Sequence, residues 1–139
     1  MQAASLRQVN EAPRVEEFRA LRLACGLSDR AVEAASAGLP NSLFATVIRH
    51  DKRLVAMGRV VGDGGCNFEV VDIAVHPDFQ RQGLGQQIMQ AIMDYLHAHA
   101  PESAYVSMIA DDHAPALYRK FGFTPTAPAS IGMALKIKR

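Results

Sequence analysis

Cysteine is scarce in this 139-residue sequence: only Cys25 and Cys66 occur. They stand far apart and fit neither a metal pattern nor a disulfide framework. Two reduced thiols are the simpler reading, and they point to a cytoplasmic protein. The five histidines, His50, His76, His97, His99 and His113, show no HExxH or paired Cys/His spacing, so no metal site is expected. An excess of charge of one sign is also missing. Fifteen Lys and Arg against fourteen Asp and Glu leave a net charge of +1, whereas duplex-binding domains carry a strong basic excess. Nucleic acid is not an expected partner, and the basic end at Lys136, Lys138 and Arg139 reads as the solvated close of a last strand. No apolar run approaches the roughly 18 residues that mark a membrane span. Met1 to Asn10 lacks the apolar stretch of a secretory signal. Repeats, low-complexity segments and interdomain linkers are absent too. What remains is a chain that is 49% hydrophobic, enough to argue against disorder and for one domain, residues 1–139, with one core.

The pattern along the chain predicts its elements. Leu6–Val9 reads as a short first strand. Pro13 can open a helix, because its missing N–H costs nothing in the first turn. Val15, Phe18 and Leu21 then recur at helical spacing to about Ala24, and Gly26 stops the run. Ser28 is the expected N-cap of a second helix ending at Gly38 and Pro40. Leu43–His50 and Leu54–Gly62, joined by Asp51-Lys52-Arg53, read as a hairpin. Phe68–Val75 is a nearly continuous apolar run, as in a central strand covered on both faces, interrupted by Glu69 and Asp72. Leu84 to His99 places Leu84, Ile88, Ala91, Ile92, Tyr95 and Leu96 on one helical face. Tyr105–Ala110 predicts a strand, Pro115–Phe121 a short helix capped by Gly122, and the alternation of Ile131–Ile137 a last strand. The order predicts one mixed α/β sheet covered by helices. Alternation along Phe68–Val75 places Asp72 on the opposite face from Glu69, where a buried aspartate needs hydrogen bonds or a basic partner.

The most telling stretch is Gln80-Arg81-Gln82-Gly83-Leu84-Gly85, between an apolar strand and a helix N-terminus. Free amides of the first helical turn and the helix dipole both favour an anion there. Gly83 and Gly85 let a phosphate approach the backbone. The run is not a P-loop, since no GxxxxGK[ST] occurs. It is not a dinucleotide fingerprint either, because Ile88 stands where the third glycine belongs and a hairpin precedes the strand.

It does match (Gln/Arg)-x-x-Gly-x-(Gly/Ala), through Gln80, Gly83 and Gly85. Upstream, Asp72-Ile73-Ala74-Val75-His76-Pro77 resembles a central strand and its exit, and downstream Asp111–Phe123 resembles N-x-x-A-x-x-L-Y-x-x-x-G-F. Each motif alone is weak; three in order at the right spacing, from about Leu43 to Phe123, resemble the GNAT superfamily of N-acetyltransferases.

That resemblance implies a single GNAT-like domain, with a V-shaped split between the central strand and the following parallel strand. Acetyl-CoA would lie in the split as cosubstrate. Amides of Arg81, Gln82, Gly83, Leu84, Gly85 and Gln86 would hold its pyrophosphate. Arg81 adds a charge-assisted contact or is simply a solvated loop residue. The backbone of Ile73, Ala74 and Val75 would pair with the pantetheine arm as an added strand, and an amide near Ile73 or Val75 would stabilise the developing oxyanion. Tyr118 would protonate the departing thiolate, as suits a phenol with a reference pKa near 10. On its own it would read as an aromatic packed beside Leu117 and Phe121. Glu69 occupies the position of a catalytic base, with a pairing to Arg59 as the structural alternative. Asp111 and Ala114 fall at coenzyme-contacting positions, but Asp111 replaces the family's asparagine and, when ionised, cannot donate a hydrogen bond. His113 would lie near the acyl end.

The function implied is transfer of an acetyl group to a primary amine by direct attack in a ternary complex. The alternative is a non-catalytic acyl-CoA-binding sensor or partner module. The acceptor is expected to be a small molecule rather than a protein, and a homodimer is possible on the family's habits. Residues 18–40 would wall the acceptor side, where Arg19, Arg22 and Arg30 stand among Glu16, Glu17, Asp29 and Glu33 and predict no clear acceptor charge.

Overall fold

Two β-branched and apolar runs separated by a short polar turn fold back on each other, and the sheet grows outward from that hairpin. β2 (Phe44–His50) pairs antiparallel with β3 (Arg53–Gly62) across a turn in which Asp51 adopts a left-handed φ of 57°. The computed structural model describes residues 5–110 and 115–139. β1 (Leu6–Val9) adds antiparallel to β2, and β4 (Asn67–Val75) antiparallel to β3. β5 (Tyr105–Met108) joins β4 in parallel, completing a five-stranded sheet in the order β1-β2-β3-β4-β5. A parallel neighbour requires a crossover, and α3 (Leu84–His99) supplies it.

Each face of the sheet is covered by the helix whose apolar stripe fits it. Leu84, Ile88, Met89, Ile92 and Leu96 of α3 are buried on one side. On the other, α1 (Val15–Ala24) and α2 (Val32–Gly38) bury Phe18, Leu21 and Ala35 with Leu39, Val47, Met57 and Ala74. The first turn of α1 is held by Glu17, whose carboxylate accepts from the Arg14 amide at 2.8 Å and from Arg49 at 2.6 Å.

At Gly58 the side chains of α3 pack directly on the backbone of β3. A Cβ there would stand 2.6 Å from both Ile73 Cδ1 and Ile88 Cγ2. Gly58→Val is therefore expected to cost about 1–3 kcal/mol through overpacking. Urea denaturation checks this, and an unchanged midpoint would contradict it.

The chain divides into two compact units, Met1–Met108 and Ile109–Arg139. The second contains α4 (Pro115–Arg119), which ends where Gly122 takes a φ of +96° and its amide bonds the Arg119 carbonyl at 3.1 Å. No described helix is long and apolar enough to cross a membrane.

Two expectations are corrected. Ser28 does not cap α2, which begins at Val32 after Ala31. The Ser28 hydroxyl instead accepts from Arg22 and Arg30, and its carbonyl accepts from Arg22 Nε at 2.8 Å. Ile131–Ile137 is not a strand, and every residue in it is exposed. Alternation supplies a strand's faces, but a strand also needs a hydrogen-bonded neighbour. No strand pairs with this tail among the described residues.

Candidate active site

β4 outruns its neighbour. β5 pairs with Asn67–Val70 and stops, while β4 continues to Val75. From Val71 to Val75 the outer edge of β4 has no strand partner among the described residues. This is the split expected from the resemblance, with Ile73, Ala74 and Val75 along its open edge. The Val75 carbonyl is already engaged, accepting from Gln80 Nε2 at 3.1 Å and from the Cys25 thiol at 3.3 Å. Gln80 thus ties the loop to the strand exit, a job its motif position alone did not reveal.

Beyond the strand, His76 opens a 3-10 turn over Pro77–Phe79 by accepting the Asp78 amide at 3.1 Å. Arg81 then takes a left-handed φ of 64° and Gly83 one of 83°. Gly83 is the N-cap of α3 and offers no side-chain cap. The first amides of α3, at Leu84, Gly85 and Gln86, therefore lack internal acceptors. Arg81, Gln82 and Gly83 are exposed, so the loop presents its backbone to solvent. Left-handed residues alternating with others form a concave set of amides suited to an anion. The residues thus fit a pyrophosphate-bearing coenzyme: amides free to bind oxygen, and a strand edge free to bind amides.

The centre of β4 is shaped by a feature that alternation did not foresee. The β3–β4 register shifts between Met57 and Arg59, where Met57 pairs with Ala74 and Arg59 with Val71. Asp72, in the extra position, takes a φ of 61°. This bulge turns the Asp72 carboxylate onto the α1 side of the sheet, the face that also carries Arg59, Val71 and, two residues earlier, Glu69. The expected opposition of Asp72 and Glu69 is therefore corrected: a bulge resets the period of two.

Two arginines hold the carboxylate. Arg22 Nη1 donates to Asp72 Oδ1 at 2.5 Å, and Arg59 Nε donates to Oδ2 at 2.8 Å. Arg22 is buried and Asp72 and Arg59 are largely covered, with side chains 6%, 7% and 13% exposed for Arg22, Asp72 and Arg59. Ser42 accepts from Arg59 Nη1 at 2.8 Å, and both guanidiniums lie against the Phe18 ring. Burial lowers the Arg22 pKa, with the Asp72 charge opposing that and Arg30 and Arg59 adding to it. Arginine stays charged nonetheless. Asp72 has the basic partners it needed, and they include an Arg22 that lay unnoticed fifty positions away.

Arg59 is thereby committed to Asp72. Glu69, half-buried on β4, lies opposite Val61 of β3 and beside Ser107 of β5. Tyr118 is buried on α4 in the second unit, where its carbonyl accepts the Phe121 amide at 3.0 Å. Asp111, His113 and Ala114 lie outside the described residues. No cluster of metal-binding side chains occurs among the described residues.

The family model for the acetyltransferase (GNAT) domain matches residues 41–125, more than half of the chain. The chain belongs to the GNAT family. This GNAT chain is 47% identical to a solved Staphylococcus aureus protein named "Probable Acetyltransferase", with a TM-score of 0.92 over 95% of this chain and 99% of that one. It is 25% identical to a GNAT-family acetyltransferase of Streptococcus pneumoniae, with a TM-score of 0.73 over 96% and 98% of the two chains. Among curated relatives, the uncharacterized N-acetyltransferase ycf52 of Porphyra purpurea is 33% identical over 81 residues, covering 58% of this chain and 45% of that protein. The GNAT chain spans about half the length of these curated relatives. The match from residue 41 to residue 125 takes in the open β4 edge, the glycine loop and Tyr118.

Proposed function

We propose that this GNAT protein is an acetyl-CoA-dependent N-acetyltransferase that acetylates a primary amine by direct attack in a ternary complex. The observation that carries the reading is the open β4 edge running into a loop of unpartnered amides. Acetyl-CoA supplies an acetyl thioester, so that an amide bond forms as the carbon–sulfur bond breaks. Amides of residues 81–86 bind the pyrophosphate, with Arg81 adding its charge. The backbone of Ile73, Ala74 and Val75 orients the pantetheine arm as an added strand. A backbone amide near Ile73 or Val75 stabilises negative charge on the acetyl oxygen. Glu69 takes the amine's proton, directly or through a water, and Tyr118 returns a proton to the departing sulfur. Both protons are thereby accounted for.

The acceptor in this reading is a small-molecule amine, and the protein acts in the reducing cytoplasm with Cys25 and Cys66 as free thiols. Charge on the α1 side gives no preference of sign, since Arg19 pairs with Asp29 and Arg22 with Asp72.

Coenzyme A at a hundred times its Kd is expected to stabilise the protein by about 2.7 kcal/mol. NAD and ATP should leave the unfolding midpoint in place. Gly83→Val should abolish the coenzyme effect, because a β-branched residue resists a φ of 83°. Stabilisation by NAD or ATP but not by coenzyme A would reject the site. Thiol release across a panel of small amines tests turnover; binding without release from any amine would favour a non-catalytic acyl-CoA module instead.

A further inference from the structure

At the exit of β4, one imidazole faces two donors. The His76 backbone is fixed by its amide, which donates to the Val55 carbonyl at 2.7 Å, and its side chain is largely covered. The ring Nδ1 lies 3.1 Å from the Asp78 amide nitrogen, and Nε2 lies 2.8 Å from Arg53 Nη2. A backbone amide and a guanidinium can only donate. Neutral imidazole has one N–H and one lone pair, so each neutral tautomer serves one of these neighbours. Imidazolium serves neither, and it places a second positive charge beside Arg53.

The other groups around the ring do not offset this. The Asp78 carboxylate is 3.9 Å from Nδ1, but that side chain is 75% exposed, so water screens its attraction. Arg53 also lies over the Phe79 ring at 5.9 Å, which keeps its guanidinium at Nε2. His50, at the end of β2 with Asp51 beside it, stands 5.2 Å from the Phe79 ring, as His76 does at 6.1 Å. From α1, Cys25 reaches the Val75 carbonyl, and burial raises its thiol pKa.

The turn that His76 caps leads straight into the glycine loop. The Asp78 contact and the Phe79 amide, which donates to the His76 carbonyl at 2.8 Å, close the turn over Pro77–Phe79. Gln80 follows, tied back to Val75, and Arg81 and Gly83 then take their left-handed conformations. We infer that His76 is a positioning residue for the glycine loop: its neutral ring holds the turn through the Asp78 amide, and a second proton releases the turn and weakens coenzyme binding. Arg53 acts on the imidazole rather than on the coenzyme, by disfavouring that proton. The effect on binding rests on the proposed coenzyme role of the loop; the link between ring, turn and loop does not.

The test uses the full chain with His50→Gln throughout, so that only one imidazole of the cluster titrates. In nuclear magnetic resonance spectra without ligand, the Asp78 and Gly83 amide signals should shift with one common midpoint between about pH 5 and about pH 8, where imidazole takes its second proton. His76→Asn supplies a side-chain oxygen to the amide two residues on and does not titrate, so both signals should then hold still. Arg53→Met removes the neighbouring charge and should move the midpoint to higher pH. In calorimetry, coenzyme A affinity should fall between those limits by about tenfold more in the His76 protein than in His76→Asn, the size of one lost hydrogen bond. The coenzyme's own phosphates contribute equally to both. An Asp78 signal that titrates without Gly83, or a His76→Asn protein that titrates like its parent, would overturn the inference. Absence of coenzyme binding at every pH would instead reject the proposed function, and the amide signals would still decide the link from His76 to the loop.

Discussion

Asp72→Ala is expected to destabilise the protein by about 3–5 kcal/mol, because it strands the buried Arg22 and the largely covered Arg59 without their counter-charge. Arg22 and Arg59 donate to opposite oxygens of this carboxylate, and their remaining contacts, to Ser28 and Ser42, are neutral. A smaller effect adds to the first. Asp72 holds a φ of 61°, a conformation that aspartate tolerates better than most residues and alanine poorly. Asp72→Gly removes the same charge but suits the backbone, so it should be milder than Asp72→Ala by about 1 kcal/mol. Asp72→Asn keeps the backbone tolerance and one acceptor oxygen and should fall between wild type and Asp72→Ala. Urea denaturation of the three variants separates charge from backbone. If all three lose the same amount, the charge alone matters; if Asp72→Ala unfolds at the wild-type midpoint, the triad does not hold the bulge. The same bulge adjoins Ile73, so Asp72→Asn is a positioning variant for the proposed oxyanion amide. It should lower turnover with less effect on coenzyme affinity.

Tyr118→Phe is expected to cut turnover by about a hundredfold or more while coenzyme affinity stays near wild type. The substitution removes only the phenolic oxygen, and the ring keeps its buried place on α4. A group that acts only as a general acid contributes to kcat and little to ground-state binding. Steady-state kinetics with a competent amine, beside coenzyme binding by calorimetry, distinguishes the two. Equal losses in kcat and in coenzyme affinity would reduce Tyr118 to a binding or packing residue.

Much of the frame was legible from residue patterns because the causes are local. The 3.6-residue stripe of Leu84, Ile88, Ile92 and Leu96 fixed α3 to the residue, and the same positions are buried in the fold. The apolar runs on either side of Asp51 gave the β2–β3 hairpin to within a residue at each end. The loop from Gln80 to Gly85 was readable as a strand-to-helix turn because a glycine and a helix start are sequence features. The misses have one cause. Ser28 looked like a cap from its neighbours, but Arg22 and Arg30 reach it from elsewhere. The tail looked like a strand from its alternation, but a strand is completed by another strand.

Residue patterns carried the order of elements from β1 to α4, the resemblance to the family and the position of the glycine loop. Each depends on neighbours within a few residues or on a motif of fixed spacing. Only the tertiary structure decided that β5 stops at Val70 of β4 and leaves the edge from Val71 to Val75 open. It alone turned Asp72 onto the face of Arg22 and Arg59 and so changed which carboxylates share a side. Strand register and buried ion pairs join residues tens of positions apart. Their energies depend on distance and desolvation in space, which no local pattern encodes.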